Sequence, residues 1–377
     1  MPSELTDLLA QLVAIDSVNP SLVEGGAGEA AAAAFVADWG RAAGLDVAVV
    51  GEPARPSVIV RARGSGGGRS LLVCGHLDTV GVEGMTDPHV PHVDGDWLYG
   101  RGSYDMKAGV AAALIAARDA ARLDLAGDVV VAAVADEEAA STGIKDVLQS
   151  VHADAAVVTE PTELEVVVAH KGFVWSEVEV RGRAAHGSRP ALGVDAIVKS
   201  GPVLVELGRL DDRLAAPTHP LLGRASVHAS LIEGGRELSS YPDRCLVTLE
   251  RRTLPGETTE DVERELDELL SRCRGGDAEL VAERRTLLVR EPLEVDAGHE
   301  IVEAVRSAAA AVTGAEPAIG GASYWADSGL IAAAGIPTVL FGPGGEGAHA
   351  VEERVSLRDS EVVARTLVEV ATRFCRS

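Results

Sequence analysis

Strand-like and helix-like segments alternate through the first half of the chain, and no other feature of the sequence restricts the fold as much. Hydrophobic periodicity predicts helices over residues 3–16 and 27–43 and strands over residues 46–50, 57–63 and 70–75. The pattern continues with a helix capped by Asp105, a strand over 128–135, a helix over 142–150 and a strand over 155–159. Such alternation is typical of an α/β fold with a mostly parallel sheet and helices on both faces.

The pattern changes near residue 175. The segments "GFVWSEVEV" and "RCLVTLERRTL" alternate polar and apolar residues, as antiparallel strands with one wet face do, and "TTEDVERELDELLSRCR" predicts an acidic amphipathic helix. The first pattern returns near residue 288. Because 377 residues exceed the usual size of one hydrophobic core, we predict two domains. A discontinuous α/β domain, residues 1–175 and 288–377, is interrupted by an α+β lid or dimerisation domain, residues 176–287.

Charge and cysteine content exclude several functional classes. The formal net charge is −24, with 58 acidic against 34 basic residues, which argues against binding nucleic acid or an anionic membrane. Four cysteines without C-x-x-C spacing indicate free thiols in a reducing compartment. The N-terminal "MPSELTDLLAQLVAID" has neither the basic start nor the apolar core of a secretion signal. We therefore expect a cytoplasmic protein with a small-molecule substrate.

A possible functional site begins in "SLLVCGHLDTV", residues 70–80, where a buried strand ends in a His-x-Asp pair. Residues i and i+2 of an extended chain project to the same side, so His76 and Asp78 could face one point beyond the strand. Taken alone, the pair is more typical of a strand cap followed by a turn. The ends of the other predicted strands are needed to decide between these interpretations.

Each of the other strand ends also carries acidic or imidazole side chains. Strand 128–135 ends in "DEE", strand 155–159 in "TEP", and strand 336–341 is followed by "GPGGEGAHAVEE". Each is an ordinary exposed turn when taken alone. However, ligands of a parallel sheet gather at the carboxyl ends of its strands, and imidazole and carboxylate groups are ligands for zinc. Together these strand ends predict a site for two divalent metal ions.

A specific set of ligands follows. We assign His76 and Glu160 to one ion, Glu138 and His349 to the other, and Asp105 to a bridging position between them. Two ions of charge +2, three carboxylates and one hydroxide then sum to zero, so no large buried charge remains. Zinc is the expected metal, two ions per subunit, with Co²⁺ or Mn²⁺ as alternatives.

Two further carboxylates have separate predicted roles at this site. Glu137 precedes the ligand Glu138 and could act as general base and then general acid. Asp78 could orient the ring of His76 without itself binding the metal.

The segments "GHLDTV", "GRGSYDMKAG", "DEE", "TEP" and "EGAHAVEE" together resemble a known family over nearly the whole chain. It is the dinuclear zinc amidohydrolase and exopeptidase family, which includes acetylornithine deacetylase, succinyl-diaminopimelate desuccinylase, carboxypeptidase G and aminoacylase-1. The resemblance implies the same five metal ligands, Glu137 as the base, and a cis peptide bond between Asp105 and Met106.

The resemblance extends into the inserted domain. "GRAAHGSRPALGVDA" is similar to the lid segment whose histidine enters the partner subunit's active site and stabilises the oxyanion, which implies a homodimer and a catalytic role for His186. From the residues alone, His186 is more typical of a surface turn. "RCLVTLERRTLPGE" resembles the segment whose arginine binds the substrate's α-carboxylate. This implies that role for Arg252, which otherwise fits a solvated strand position.

Two departures from the family pattern affect the substrate. Many relatives carry Asn where this chain has Ser239, and the loop "GGASYWADSGL" keeps Asp327 but has Gly329 where desuccinylases carry an arginine. Ser239 and Asp327 are therefore candidate substrate-binding residues. The chain looks closest to the acetylornithine deacetylase-like branch.

These observations predict metal-dependent hydrolysis of the amide bond of an N-acyl amino acid. The resemblance implies a metal-bridging hydroxide as nucleophile, with Glu137 moving the proton and His186 helping to hold the oxyanion. The nearer alternative is a zinc exopeptidase, either carboxypeptidase G-like or a dipeptidase, and a desuccinylase fits less well. A distant alternative is a binding protein with a decayed site, which predicts a missing base or ligand.

Overall fold

The computed structural model describes residues 3–216 and 218–376, which form two compact units. Unit 1 contains the chain up to Val168, the segment Val295–Gly320 and the chain from Ala326 onward. Unit 2 contains Ala169–Glu294 and Gly321–Trp325.

Unit 1 is built on a mixed sheet whose centre is parallel. In spatial order its strands are Asp46–Glu52, Arg55–Ala62, Val129–Val134, Leu71–His76, Ala155–Val158, Thr338–Leu340 and Val166–His170. The four strands from Val129–Val134 to Thr338–Leu340 run parallel to one another, and the outer neighbours pair antiparallel. The predicted α/β class with a mainly parallel sheet is confirmed.

Helices cover this sheet. They are Glu4–Val13, Ala30–Ala42, Ala108–Ala120, Thr142–Leu148, Glu300–Thr313, Ser328–Ala333 and Leu357–Phe374. Leu72 and Val73 are consecutive in one strand and therefore point to opposite faces, yet both are buried. Val73 belongs to the core that includes the alanine-rich helix Ala108–Ala120. Burial on both faces explains why the central strands are continuous apolar runs instead of alternating ones.

A small antiparallel sheet in unit 1 was not predicted, because its strands are only two or three residues long. In spatial order these strands are Gly345–Glu346, Arg354–Ser356, Trp97–Tyr99 and His92–Asp94. This sheet links two parts of the site. Its strands Gly345–Glu346 and Arg354–Ser356 flank the loop that carries His349, and the second of them pairs with Trp97–Tyr99, which lies shortly before Asp105.

Unit 2 is an α+β structure. Its antiparallel sheet has the spatial order Ser226–Gly234, Arg244–Thr253, Gly172–Arg181 and Val281–Arg290. The helices Ala196–Leu214 and Thr259–Gly276 share an apolar core with alternate residues of these strands, such as Val178 and Leu249. The remaining short strands of the chain are Leu293–Glu294 and Ile319–Ala322. None of the helices in the described part of the chain combines the length and hydropathy needed to cross a bilayer.

Candidate active site

Unit 1 brings the five predicted metal ligands together in two groups. One group contains His76, Asp105 and Glu160, and the other contains Asp105, Glu138 and His349. Within each group the donor atoms lie within 4.8 Å of one another. Asp105 is common to both groups and presents a different oxygen to each, Oδ1 to His76 and Oδ2 to His349. This is the arrangement that a carboxylate shared by two cations requires.

The spacing of the donor atoms fits divalent ions. His76 Nε2 lies 3.1 Å from Asp105 Oδ1, and His349 Nε2 lies 3.3 Å from Asp105 Oδ2 and 3.2 Å from Glu138 Oε1. Glu160 Oε1 is more distant, at 4.0 Å from His76 Nε2. Two ligands of a tetrahedral zinc ion are about 3.3 Å apart, because each metal–ligand bond is about 2.0 Å. The residues present therefore fit the metal that their chemistry implies.

Three of the ligands are positioned by the ends of adjacent parallel strands. His76 is the last residue of Leu71–His76, and this strand lies between Val129–Val134 and Ala155–Val158. Glu138 and Glu160 follow those two neighbours within a few residues. The carboxyl ends of parallel strands meet at one edge, so residues remote in sequence converge there.

Asp105 does not cap a helix, and that prediction was wrong. The helix begins at Ala108, and Lys107 occupies its N-cap position. Asp105 lies in the preceding turn Ser103–Lys107 with a non-helical backbone, φ −116° and ψ 95°. The peptide bond between Asp105 and Met106 is cis, which confirms the expectation drawn from the family resemblance.

Glu353, which the sequence analysis missed, holds this turn. Its side chain is buried and accepts hydrogen bonds from the backbone N–H groups of Gly102, Tyr104 and Asp105 at 3.0, 2.9 and 3.0 Å. The Arg101 guanidinium donates a further bond at 2.6 Å. The sequence indicated this residue only through the acidic pair Glu352–Glu353 at the end of "EGAHAVEE". In the structure Glu352 is exposed and Glu353 is buried.

Asp78 makes a different contact from the predicted one. The group that meets His76 Nδ1 is the backbone carbonyl of Asp78, at 2.9 Å, whereas the carboxylate oxygen Oδ1 is 3.7 Å away. The carboxylate instead accepts bonds from the backbone N–H groups of Glu137 and Glu138 at 3.0 and 3.1 Å. The Asn19 amide donates to it at 2.8 Å. Asp78 therefore positions the Glu137–Glu138 turn as well as the imidazole ring.

A buried ionic network that the sequence did not reveal supports the same turn. Arg55 donates to both carboxylate oxygens of Glu29 at 2.5 Å and to Asp136 Oδ1 at 3.0 Å. Glu29 accepts from the backbone N–H of Asp136 at 3.1 Å, and Asp136 adopts a positive φ of 66°. Because a left-handed backbone is unfavourable for a residue other than glycine, these contacts fix a conformation that the chain would otherwise avoid.

The carboxyl groups of the site have strongly shifted pKa values. Burial raises the pKa of Glu137 well above its usual value, and the charge of Glu160 adds to the effect. Burial also raises the pKa of Glu160. Hydrogen bonds to Asp105 and Glu138 raise the pKa of His349 to about 10. The rise at His349 and the mutual repulsion of the carboxylates reflect a concentration of negative charge that favours a bound cation.

Asp327 lies beside this cluster. It is buried directly before the helix Ser328–Ala333, and its charge contributes to the raised pKa values of Glu137 and Glu160. Its own negative charge would repel a substrate carboxylate. Any contact of Asp327 with substrate would therefore involve a hydrogen-bond donor or a cation.

Unit 2 contains the remaining predicted site residues, and they occupy two places. His186 is exposed, and its Nδ1 accepts from the backbone N–H of Ser188 at 3.2 Å, which leaves the ring proton on Nε2. The Gly187 N–H donates to the carbonyl of Ser239 at 2.7 Å, so His186 and Ser239 lie in adjoining loops.

Arg252, by contrast, is near the end of the strand Arg244–Thr253. Arg244 is the first residue of that strand, and four residues separate it from Ser239. At about 3.3 Å per residue, Arg244 and Arg252 are about 26 Å apart. His186 and Arg252 of one unit are therefore too far apart to contact one small substrate together.

Comparisons with known proteins agree with this geometry. The sequence pattern of peptidase family M20/M25/M40 matches residues 72–373. Acetylornithine deacetylase of Myxococcus xanthus is 30% identical over 386 residues, covering 97% of this chain and 96% of the relative. N-formyl-4-amino-5-aminomethyl-2-methylpyrimidine deformylase of Bacillus subtilis strain 168 is 26% identical over 360 residues, covering 86% and 84%.

The fold is shared with solved structures as well. A tripeptidase from Staphylococcus aureus superposes with a TM-score of 0.81 at 19% identity, covering 99% of this chain and 98% of the other. At this identity the likeness concerns the fold alone. The match to the family pattern, in contrast, extends over most of the sequence and includes all five residues of the two ligand groups. The chain belongs to peptidase family M20/M25/M40 and is a metallohydrolase that acts on amide bonds.

Proposed function

We propose that this metallohydrolase removes the acyl group from an N-acyl amino acid, as an acetylornithine deacetylase-like deacylase. The observation that carries the proposal is the pair of ligand groups that share Asp105. His76 and Glu160 would hold one divalent ion, Glu138 and His349 the other, and Asp105 both, with zinc as the expected metal. Bound there, the ions would supply Lewis-acid polarisation of the acyl carbonyl and activation of water.

Glu137 is the proposed general base. Its backbone N–H is held by Asp78, and burial together with the charge of Glu160 raises its pKa. A carboxyl group with a raised pKa can take a proton from the attacking water and pass it to the leaving amine near neutral pH. The carboxylate of Asp327, which is buried beside Glu137, would keep the region negatively charged and would attract the protonated amine product.

A homodimer is the proposed assembly. The strand Ser226–Gly234 is at an edge of the unit 2 sheet, and its Leu231 and Ile232 side chains are 61% and 54% exposed. The neighbouring helix Ala196–Leu214 exposes Val198 and Val205. An unpaired strand edge beside an exposed apolar helix face is suited to pairing with a second copy.

The dimer would also explain the placement of His186. Because His186 and Arg252 are at distant ends of one sheet, His186 would complete the active site of the partner copy while Arg252 binds the substrate carboxylate. The Nε2 proton of His186 would be its donor to the oxyanion. Ser239, in the adjoining loop, would contact substrate on the same side as His186.

A cytoplasmic location accords with the four cysteines, which are free and buried in the described structure.

The test is a substrate panel with the purified protein, stripped of metal and then reloaded with Zn²⁺, Co²⁺ or Mn²⁺. N-acetyl, N-formyl and N-succinyl amino acids are compared with dipeptides and tripeptides. We expect metal-dependent release of the acyl group, with kcat/KM for an N-acetyl amino acid at least tenfold above that for any peptide. A higher value for peptides would establish the exopeptidase instead, and turnover unaffected by chelation would overturn the metal assignment.

A further inference from the structure

The chain contains a single asparagine among its 377 residues, and this side chain contacts two carboxylates of the candidate active site. Asn19 is fully buried. Backbone hydrogen bonds fix its position, because the Asn19 N–H donates to the Thr79 carbonyl at 2.9 Å and the Thr79 N–H donates to the Ser17 carbonyl at 3.1 Å. The segment around Asn19 therefore runs alongside Asp78.

The Asn19 amide makes three hydrogen bonds. Its Nδ2 donates to Asp78 Oδ2 at 2.8 Å and to Asp136 Oδ1 at 3.2 Å, while its Oδ1 accepts from the backbone N–H of Ser21 at 2.8 Å. Exchanging the amide oxygen and nitrogen would direct an acceptor at two carboxylates and a donor at an N–H group, so the network admits one orientation. One uncharged group thus supplies a hydrogen to each of two buried carboxylates.

Asp78 and Asp136 hold the turn of the proposed general base from two sides. The Asp78 carboxylate accepts from the backbone N–H groups of Glu137 and Glu138, and Asp136 is the residue with a positive φ that begins the turn. Asp78 is 0% exposed and Asp136 is 2% exposed, so water has little access to either group. Two ionised carboxylates that face one nitrogen atom repel each other unless that nitrogen donates to both. The position of the turn therefore depends on the amide between them.

We propose that Asn19 is a positioning residue, which holds the Glu137–Glu138 turn by bridging Asp78 and Asp136. The consequence for catalysis rests on the proposed role of Glu137 as general base and does not depend on which acyl group is removed. Because the Glu137 N–H is bonded to Asp78, a displaced Asp78 would move the backbone from which the Glu137 side chain extends. An amide suits this position because it has two donor hydrogens and adds no charge to the network.

The kinetic test combines variants of Asn19 and Glu137, with Zn²⁺ in excess and the preferred substrate of the panel. Asn19→Asp keeps the length of the side chain and the acceptor for Ser21, but it places an oxygen where Nδ2 was. We expect kcat to fall about 10- to 100-fold, with KM within threefold of the unmodified value. In the Glu137→Gln protein the same change should lower kcat less than twofold, because residues that act as a unit are not additive. Equal losses in both proteins, or a loss of less than tenfold in the first, would overturn the role.

Two further variants complete the kinetic test. Asn19→Ala removes the bridge without adding a charge, so it remains informative if Asn19→Asp does not fold, and it should lower kcat about tenfold. The matched control is Asp128→Asn, at the opposite end of the strand Val129–Val134 that leads to the turn. The Asp128 carboxylate also accepts from a backbone N–H, that of Gly64 at 2.9 Å. This variant should keep kcat within twofold of the unmodified value.

Hydrogen exchange followed by mass spectrometry tests the bridge without turnover. The backbone N–H groups of Asp136, Glu137 and Glu138 all donate to buried carboxylates and should exchange slowly. Both Asn19 variants should accelerate exchange of the peptide that contains these groups at least tenfold, and Asp128→Asn should not. Unchanged exchange would overturn the positioning role whatever the kinetics. If exchange is accelerated but Glu137→Gln itself lowers kcat less than tenfold, the bridge is supported and the general-base proposal alone fails.

Discussion

The carboxylate of Glu353 accepts a hydrogen bond at 3.0 Å from the backbone N–H of Asp105, the residue common to both ligand groups. The same carboxylate binds two further N–H groups of the turn and the guanidinium of Arg101. Glu353 also follows His349 by four residues, so one side chain connects the Asp105 turn to the loop of another ligand. The position of the shared carboxylate thus depends on a residue outside the ligand set.

Replacing Glu353 by Gln should weaken metal binding by about 10- to 100-fold, as the loss of a residue that hydrogen-bonds to metal ligands and orients them typically does. The amide keeps the shape of the side chain but cannot accept four charge-assisted hydrogen bonds. Competition with a fluorescent chelator measures the affinity directly. Glu352→Gln alters the exposed neighbour and should leave metal affinity within twofold of the unmodified protein. Equal affinities for the two variants would contradict this role for Glu353.

Replacing Glu137 by Gln should lower kcat by about 10²- to 10⁴-fold, because a positioned general base contributes that much. Metal content should stay at the unmodified level, since Glu137 belongs to neither ligand group. Steady-state kinetics and metal analysis of the same preparation check both statements. If kcat falls less than tenfold, the proton is transferred by another group.

Replacing Arg55 by Met should destabilise unit 1 by about 3–5 kcal/mol, because Glu29 and Asp136 would remain as buried negative charges without a cationic partner. The additional change Glu29→Gln should recover part of that loss. Urea denaturation followed by circular dichroism measures both. The control is Arg41→Met, which breaks an exposed ion pair with Asp38 and should cost about 1 kcal/mol or less. If the double variant is no more stable than Arg55→Met, the negative charge of Glu29 is not a cause of the lost stability.

The stability of the protein should fall as the pH is lowered from about 6.5 to about 4. Burial lowers the pKa of His170 from 6.5 to about 4, so in this range the unfolded chain binds a proton at His170 that the folded chain does not. One pKa unit corresponds to 1.36 kcal/mol, which limits the contribution to about 3 kcal/mol. His170→Phe should flatten the dependence of the unfolding midpoint on pH, whereas His152→Phe, at an exposed position, should not. Identical profiles for the His170 variant and the unmodified protein would refute this assignment.

Replacing Leu231 by Lys should separate the proposed dimer, because a charge would be placed on the exposed strand edge. Sedimentation velocity should then give the mass of one chain in place of two. Leu123→Lys, at an exposed position of unit 1, should leave the mass unchanged. An unmodified protein that sediments as a monomer at micromolar concentration would remove the basis for His186 acting on a partner.

The sequence was sufficient to predict the main helices and strands and most of the residues that the structure brings together in the two groups. Periodicity located the alternating helices and strands, because burial on one face or on both imposes a repeat on the residues themselves. The convergence of His76, Glu138 and Glu160 could be predicted because each lies at or shortly after the end of a predicted strand, and the ends of parallel strands meet. Arg252 and His186 needed the family resemblance, since a single charge on a strand or in a turn has no local signature.

Only the tertiary structure revealed what holds the ligands in place. Glu353, Asn19, Arg55 and Glu29 make their contacts with residues dozens to hundreds of positions away, and no periodicity or spacing relates such pairs. Asp105 was expected to cap a helix because an acidic residue preceded a helical pattern, but hydrogen bonds from its turn to Glu353 place it elsewhere. Local sequence determines which backbone conformations are favourable. The choice among them at Asp105 and Asp136 is made by buried charged side chains from distant parts of the chain, which accept or donate hydrogen bonds there. At Asp136 these contacts also hold a left-handed backbone, because leaving the buried charges without partners would cost more than that conformation.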